Sequence, residues 1–549
     1  MISAVRHFSS PHRIAVSALG FLVLLAVASL ASAAVNPPRR LKACIVSLNE
    51  PHEIDAFRAS LDPKRFEIVD IRALALARTS NQSALGADGS PWLVNACSAD
   101  TKCDVMVYSA EFAGRFFGKQ GPSLSLQEME EASCQARCDG LFRQPLEVFL
   151  LACNTLATKD EDNRTPEQYL QVLLDHGFDR ASAERVVELR YGPLGPSFRE
   201  ALRRVFAGVP RIYGFSSVAP RGEYTAPMLK RYFRDKGDYA GALLRNVKDT
   251  GRNQSLLASF KGTSLTQTVG LTPRESGAID RQHICALYDE SRSVGERLRI
   301  AYGLLTRPDA LSFVPTLEVF LSRHPRDKFT RVERSIFTEI QNLDTTREAV
   351  MQLVRNLNVS ALKLELAHFA VLVGWLERPE FHTLAVDGAS ELLRQPLSAE
   401  SVDIMCAITK HESLRADFTL DDIPAGVYRN AQGLRLLSCL APSDPRVSPR
   451  ILSGLQSTDP LTRQWAIYTL TERRPLDDLV LEQLVPYLHD PAPEVATRVQ
   501  WLFQIQGPLP KRVARTMQLA EQLQKTDPVA QQCRARTETC EIAGFQTDL

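Results

Sequence analysis

Five short apolar runs alternate with helical segments between residues 41 and 234, and this alternation most constrains the fold. Each run is continuously apolar, which is typical of strands in a parallel sheet that is covered on both faces. The segments between the runs have helical spacing, which predicts a doubly wound α/β domain over 41–239. The five predicted strands are 41–48, 66–71, 104–110, 146–152 and 211–217.

Strand patterns nearly vanish after residue 277, and paired helical segments take their place. Residues 240–277 are polar and rich in Ser, Thr and Gly, which predicts a linker. Near the end of the chain, two helical pairs align Asp459-Pro460 with Asp490-Pro491. A two-helix unit of about thirty residues with such a turn resembles HEAT repeats. The predicted fold class is therefore α/β followed by all-α, with a HEAT-like α-solenoid over 278–510 and a C-terminal helix and tail over 511–549.

The first 34 residues have the pattern of a secretory signal. Arg6, His12 and Arg13 precede a long apolar run, which closes on the small residues 31–33. The alternative is an uncleaved anchor, because the run nearly reaches the length that spans a bilayer. We expect cleavage, with export to the periplasm or the outside and no membrane attachment afterwards.

Charge and composition exclude some classes of partner. The chain is 44% hydrophobic and 23% charged, which is ordinary for a globular protein. Its 65 Lys and Arg residues balance 64 Asp and Glu residues, so that the net charge is +1. This balance gives no support to a nucleic-acid surface, which normally requires a basic excess.

The chain has eleven cysteines, which export would expose to an oxidising compartment. Close pairs are the candidates for disulfides, and an odd count leaves at least one free thiol, for which Cys153 is the candidate. The cysteines lack the spacing of a zinc site and the histidines are scattered, so we expect neither a metal nor a cofactor. The close pairs are Cys97 with Cys103, Cys134 with Cys138, and Cys533 with Cys540.

The fourth predicted strand runs directly into Cys153, in "LEVFLLACNT". One explanation is a buried structural thiol, because free cysteine is among the most buried residue types. The other is chemistry, because reactive groups in open α/β sheets gather beyond the carboxyl ends of the strands. The motif Ala152-Cys153-Asn154 resembles the strand end that carries the nucleophile in caspase-like cysteine peptidases, the group of caspases, gingipains and CHAT domains. This resemblance covers about 41–234 and implies a caspase-like fold in which a histidine assists a cysteine nucleophile.

The third predicted strand departs from that family. Where the family has Ser-Gly-His followed by a glycine, this chain has Ser109-Ala110-Glu111, with Gly114 three residues on. Glu111 thus occupies the position of the family's histidine. A carboxylate there raises the pKa of a neighbouring thiol, whereas a cation would lower it.

Other residues near the predicted strand ends are weaker candidates. Ser216 and Ser217 follow the fifth strand, where the family builds part of its substrate pocket, and turn chemistry explains them equally well. With Asn154 and Gly114 they form the predicted binding set. His52 and His176 are better explained as residues at a helix start and a helix end than as substitutes for the missing histidine.

Three functions remain open from the sequence. The first is an exported, degenerate caspase-like domain that binds peptides or protein partners together with the helical scaffold. The second is an active cysteine endopeptidase with Cys153 as nucleophile and a non-standard acid or base. The third is a protein-interaction scaffold without a small site.

Overall fold

The computed structural model describes residues 40–48, 52–79, 92–98, 100–118, 124–158, 164–176, 178, 180–194, 197–357, 360–393, 397, 402, 405–406, 421, 431–441, 444–473, 475–506 and 509–526. The predicted signal segment 1–34 lies outside these residues, as does the chain beyond 526 with Cys533 and Cys540.

Nine strands form two sheets in the N-terminal half of the described chain. They are β1 Leu41–Ser47, β2 Phe66–Asp70, β3 Val105–Ser109, β4 Glu111–Phe112, β5 Arg115–Phe117, β6 Leu124–Ser125, β7 Glu147–Leu151, β8 Arg211–Phe215 and β9 Leu265–Thr268. The large sheet has the order β2-β1-β3-β7-β8-β9, and β4, β5 and β6 form the small one. All pairs in the large sheet are parallel except β8 with β9. The predicted parallel α/β arrangement is therefore confirmed.

Side chains of the central strands divide between two cores. Met106 and Tyr108 of β3 face one core, whereas Val105 and Val107 face the other. All residues of β3, β7 and β8 are buried. This double coverage explains why the runs are continuously apolar in the sequence.

Helices cover both faces of the large sheet and connect its strands. They are α1 His52–Ser60, α2 Ile71–Thr79, α3 Trp92–Ala96, α4 Leu126–Ser133, α5 Asp139–Phe142, α6 Pro166–Asp175, α7 Arg180–Tyr191, α8 Phe198–Val205, α9 Gly222–Lys236, α10 Tyr239–Arg245 and α11 Gln254–Ser259. The local sequence determines at which residue several of these helices begin. A capping box begins α4, formed by Ser125 and Glu128. Another begins α6, formed by Thr165 and Gln168.

The rest of the described chain is helical. Its α-helices are α12 Gly277–Tyr288, α13 Val294–Leu305, α14 Val314–Arg323, α15 Arg331–Gln341, α16 Asp344–Asn356, α17 Ser360–Val373, α18 Arg378–Leu393, α19 Ala431–Leu440, α20 Val447–Ser453, α21 Pro460–Glu472, α22 Asp478–Leu484, α23 Pro493–Gln506 and α24 Lys511–Thr526. The Asp-Pro turns seen in the sequence are linked, because Arg463 in α21 forms an ion pair with Asp490 at 2.7 Å. Asp459 accepts hydrogen bonds from the first backbone N–H groups of α21.

The segment 240–277 is not the linker that its composition predicted. It contains α11 and most of α10, and its strand β9 pairs with β8 at the edge of the large sheet. Short polar strands at a sheet edge resemble loops in sequence, because only one of their edges is paired. One apolar core also extends from Cys44 in β1 to Ala385 in α18, so the sheet and the first helices after it pack together. The remaining domain boundaries stay predictions.

Four disulfides join described cysteines, and none is a predicted close pair. They are Cys44–Cys103, Cys97–Cys138, Cys134–Cys285 and Cys406–Cys439. The predictions of Cys97 with Cys103 and of Cys134 with Cys138 are therefore wrong. Cys153 is the free cysteine of the described residues, as predicted. Four disulfides fit an oxidising compartment, and no described helix has the length and apolarity needed to cross a membrane.

Candidate functional site

Cys153 lies in a tight turn directly after β7, at the carboxyl edge of the large sheet. The turn is fixed to β8 by hydrogen bonds. The backbone N–H of Phe215 donates to Thr155 Oγ1 at 3.2 Å, and the N–H of Leu156 donates to the Phe215 carbonyl at 2.9 Å. Thr155 Oγ1 itself donates to the carbonyl of Ala152 at 3.2 Å. The position of the thiol is therefore set by the sheet.

A cleft of about 370 Å³ opens at this edge and contains the thiol. Its walls come from the start of α1, the strand β4, the turn after β7, the end of α6 and the start of α9. The side chains that carry chemistry there are His52, Glu53, Glu111, Cys153, His176, Arg221 and Glu223. The structure thus brings the two predicted catalytic-position residues, Cys153 and Glu111, into one cleft.

Burial and two neighbouring carboxylates disfavour the thiolate form of Cys153. Its side chain is buried, with 5% of the residue exposed, and burial is the largest cause that raises its pKa to about 12. The carboxylate of Glu111 raises this pKa further, and Glu53 adds a smaller effect of the same sign. The backbone N–H of Ala219 donates to Sγ at 3.2 Å and opposes the shift. The thiol therefore stays protonated at neutral pH.

Glu53 is a residue of the cleft that reasoning from the sequence missed. It lies in the first turn of α1 with 6% of its surface exposed, and the hydroxyl of Ser109 donates a hydrogen bond to its Oε2. Burial raises the pKa of this carboxyl to about 7; the bond from Ser109 opposes the shift and the nearby Glu111 adds to it. An acidic residue in a first helical turn is ordinary, so only its place beyond strand β1 could have indicated a role.

Both histidines that the sequence favoured as surface residues line the same cleft. His52 is the first residue of α1, and His176 follows the last residue of α6. The Nδ1 atom of His176 lies 3.1 Å from the Val172 carbonyl, which accepts its proton in the matching tautomer. Two imidazoles near a thiol are groups that can accept a proton in nucleophilic catalysis.

The predicted binding residues Asn154, Ser216 and Ser217 do not line the cleft. Their polar groups hold the turn instead. Asn154 accepts a hydrogen bond from Arg190 at 3.2 Å, and its backbone N–H donates to the Ser217 carbonyl at 2.8 Å. The hydroxyl of Ser216 donates to the Ser264 carbonyl at 3.3 Å. A binding role for these residues stays a prediction.

Gly114, the fourth predicted binding residue, also lies away from the thiol. It lines a cavity of about 60 Å³ between the sheet and the helices that follow it, together with Leu189 and Phe198. Its φ of 78° lies in the left-handed region, and a Cβ atom there would come within 2.8 Å of Leu189 Cδ1. Backbone geometry and close packing thus account for this glycine.

No metal-binding cluster among the described residues and no similar protein helps to explain the cleft. Within the part of the chain that the structure describes, no group of three or more His, Cys, Asp or Glu side chains is arranged to hold a metal ion. Comparison of the chain with protein-family models, curated proteins and solved structures finds no match.

Proposed function

We propose that this chain is an exported, caspase-like pseudoenzyme that binds segments of peptides or partner proteins in the Cys153 cleft without cleaving them. A HEAT-like helical scaffold would provide further contact surface for a protein partner. The likeness to caspase-like peptidases rests on the Ala152-Cys153-Asn154 motif and on the parallel sheet that precedes it. Export is supported by the four disulfides and by the signal pattern of residues 1–34.

The proposal rests on one observation: the cleft holds a thiol whose pKa is raised by burial and by nearby carboxylates. The cleft lies at the carboxyl edge of the sheet, where open α/β folds bind their ligands. Glu111 and Glu53 face Cys153, and both carboxylates disfavour the thiolate that hydrolysis would require. Binding needs no thiolate, whereas nucleophilic attack does.

Protection of Cys153 from alkylation tests the binding role. The full chain would be treated with iodoacetamide at pH 9, with and without pools of blocked peptides, and modification of Cys153 would be followed by mass mapping. Bound peptides should slow its modification and should be recovered intact. If no pool slows alkylation, peptide binding in the cleft is rejected.

An active cysteine endopeptidase is the second candidate, and the two histidines of the cleft favour it. His52 or His176 could replace the histidine that the family has where this chain has Glu111. Cleavage of peptides at pH 7 that disappears in Cys153→Ala, and in either His52→Ala or His176→Ala, would establish this enzyme. Cleavage that persists in Cys153→Ala would point to a contaminating peptidase.

A further inference from the structure

Two donor side chains of helix α23 have no acceptor among the described residues. Arg498 and Trp501 lie on this helix, with only 8% and 9% of their surfaces exposed. The Nε1–H group of Trp501 is buried without a hydrogen-bond partner, and no hydrogen bond or ion pair joins the guanidinium group of Arg498 to a described residue. Buried polar groups are normally hydrogen-bonded and buried charges are normally paired, because an unsatisfied one is destabilising. An acceptor is therefore missing at this place.

Aromatic rings hold the guanidinium group of Arg498. Its central carbon lies 5.7 Å from the ring centroid of Tyr468 in α21 and 5.5 Å from that of Trp501. Trp465 packs edge-on against Tyr468, with 5.2 Å between the two ring centroids. A ring face attracts the positive charge, but such a contact uses none of the five N–H donors of an arginine. The rings thus position the guanidinium group and leave its donors available to a ligand.

A second arginine adds positive charge from the α/β half of the chain. Arg72 is the second residue of α2, and its guanidinium group donates to the carbonyl of Ser47 at the end of β1, at 2.9 Å. Burial lowers the pKa of Arg498 to about 10, and the charge of Arg72 contributes to this shift, whereas Tyr468 opposes it. Asp70 favours the charge of Arg72, but no carboxylate of the described residues does the same for Arg498. Arg498 is thus a charged group beside a second cation, without a counter-ion.

We infer that Arg498 and Trp501 bind a doubly charged oxyanion, a phosphate or sulfate group, beside Arg72. The guanidinium and indole N–H groups supply donors to its oxygens, and arginine is well suited to such anions because of its planar set of donors. Two negative charges compensate both arginines, whereas a single carboxylate leaves one of the two cations without compensation. None of these residues lines the Cys153 cleft, so the inference does not depend on the proposed binding of peptides there.

Isothermal titration calorimetry of the full chain at pH 8 tests the inference, with sodium chloride keeping the ionic strength constant. Sulfate and inorganic phosphate should bind saturably at one site, and acetate should bind at least about tenfold more weakly. Glycerol 2-phosphate identifies the source of the group. If this ester binds as well as phosphate, the site takes a phosphate carried by a larger molecule. If only sulfate and inorganic phosphate bind, the site takes the free ion.

Two variants remove the donors separately. Arg498→Met keeps an unbranched side chain without the charge and should weaken sulfate binding about ten- to hundredfold. Trp501→Phe keeps an aromatic ring, removes the indole N–H group and should weaken binding about three- to tenfold. Arg515→Met is the matched control, because it removes the same charge from an exposed arginine of α24 and should leave binding unchanged. If Arg498→Met does not fold, Trp501→Phe still tests the site.

Urea denaturation separates a binding site from an arginine that only packs against the rings. In chloride alone, Arg498→Met should unfold at the same or a higher urea concentration than the parent, because it removes an uncompensated buried charge. Sulfate stabilises most folded proteins by exclusion from their surfaces, so the comparison is between the proteins. Sulfate should raise the midpoint of the parent and of Arg515→Met more than that of Arg498→Met.

Three results would overturn the inference. The first is sulfate binding of equal affinity in the parent, Arg498→Met and Trp501→Phe. The second is a titration in which acetate binds as tightly as sulfate, which would show that a double charge is not recognised. The third is a loss of stability in Arg498→Met in chloride together with equal stabilisation of all the proteins by sulfate, because Arg498 would then serve packing alone.

Discussion

Asn154 accepts a hydrogen bond from the guanidinium group of Arg190 at 3.2 Å, and this bond ties the turn that carries Cys153 to helix α7. Asn154 has a φ of 63°, in the left-handed region that a residue other than glycine rarely adopts. Arg190 also donates to the Ser216 carbonyl at 3.3 Å and lies 4.4 Å from the ring centroid of Tyr169. One buried arginine thus holds both loops at the carboxyl edge of β7 and β8.

We expect Arg190→Met to loosen this turn. The variant loses charge-assisted hydrogen bonds and leaves the Asn154 oxygen unsatisfied, which should lower the free energy of unfolding by about 2–4 kcal/mol in urea denaturation. Alkylation of Cys153 should become faster. Arg180→Met is the control on the same helix. The side chain of Arg180 is 62% exposed, so its ion pair with Glu184 should contribute less than about 1 kcal/mol to the free energy of unfolding. Equal losses in the two variants would show that Arg190 does not hold the turn.

We expect the parent protein to alkylate slowly at Cys153 at pH 7, with the rate still rising at pH 10. This follows from the raised pKa of the thiol, for which Glu111 is the second cause after burial. Glu111→Gln should shift the pH profile of alkylation to lower pH, and Glu111→His should shift it further. Asp55→Asn should leave the profile unchanged. Rapid, Cys153-dependent alkylation of the parent at pH 6 would contradict the pseudoenzyme and favour the peptidase.

The strands of the large sheet were predictable to within one or two residues where burial on both faces makes the sequence continuously apolar. Strand β9, with the sequence LTQT, was not, because it lies at the sheet edge and is only partly buried. The strands β4, β5 and β6 have two or three residues each, which is too short for any periodicity to show. Pattern-based prediction thus succeeds for apolar strands, including the edge strand β2, and fails for polar or very short ones.

Disulfide partners depend on which strands become neighbours, and spacing along the chain does not reveal this. Cys44 lies in β1 and Cys103 just before β3, and these two strands pair with Ala43 opposite Val105. Sheet register therefore brings together two cysteines that are 59 residues apart. The free thiol was predictable because a strand end fixes Cys153 away from the other cysteines.

The candidate site was predictable only as far as strand ends determine it. Cys153 and Glu111 follow neighbouring strands, β7 and β3, so their meeting could be expected from the topology. Glu53 and His176 reach the cleft from helices α1 and α6, whose orientation against the sheet depends on packing and leaves no short motif. Asn154 faces Arg190 because of its backbone conformation, which residue identity alone does not give.

We expect Gly270→Ala to destabilise the protein by several kcal/mol. A Cβ atom at 270 would lie 1.9 Å from the carbonyl oxygen of Phe206, and the N–H of Gly270 donates to the Val209 carbonyl at 2.8 Å. The backbone must therefore move, which should detach the chain after β9 from the sheet. Gly303→Ala is the control, because nothing lies within 4 Å of its Cβ position in helix α13 and alanine should stabilise the helix by up to about 1 kcal/mol. An unchanged free energy of unfolding in Gly270→Ala would mean that the segment does not dock as described.

The raised pKa of Glu53 predicts how stability depends on pH. The folded protein keeps the proton of this carboxyl up to a pKa of about 7, whereas the unfolded chain releases it near the ordinary value of 4.5. Between these values the folded state binds more protons, so its stability is fully present below pH 4.5 and falls as the pH rises to 7. The contribution of Glu53 to this loss should be at most about 3 kcal/mol.

Urea denaturation of the parent, Glu53→Gln and Asp55→Asn at pH 4.5, 5.5, 6.5 and 7.5 measures this contribution. Because glutamine does not ionise, the Glu53→Gln variant should gain stability relative to the parent as the pH rises, by about 1–3 kcal/mol between the extremes. The Asp55→Asn curve should stay parallel to that of the parent, since Asp55 is exposed on the same helix. Parallel curves for all three proteins would show that the pKa of Glu53 is the same in the folded and the unfolded state, and the raised pKa would then be rejected.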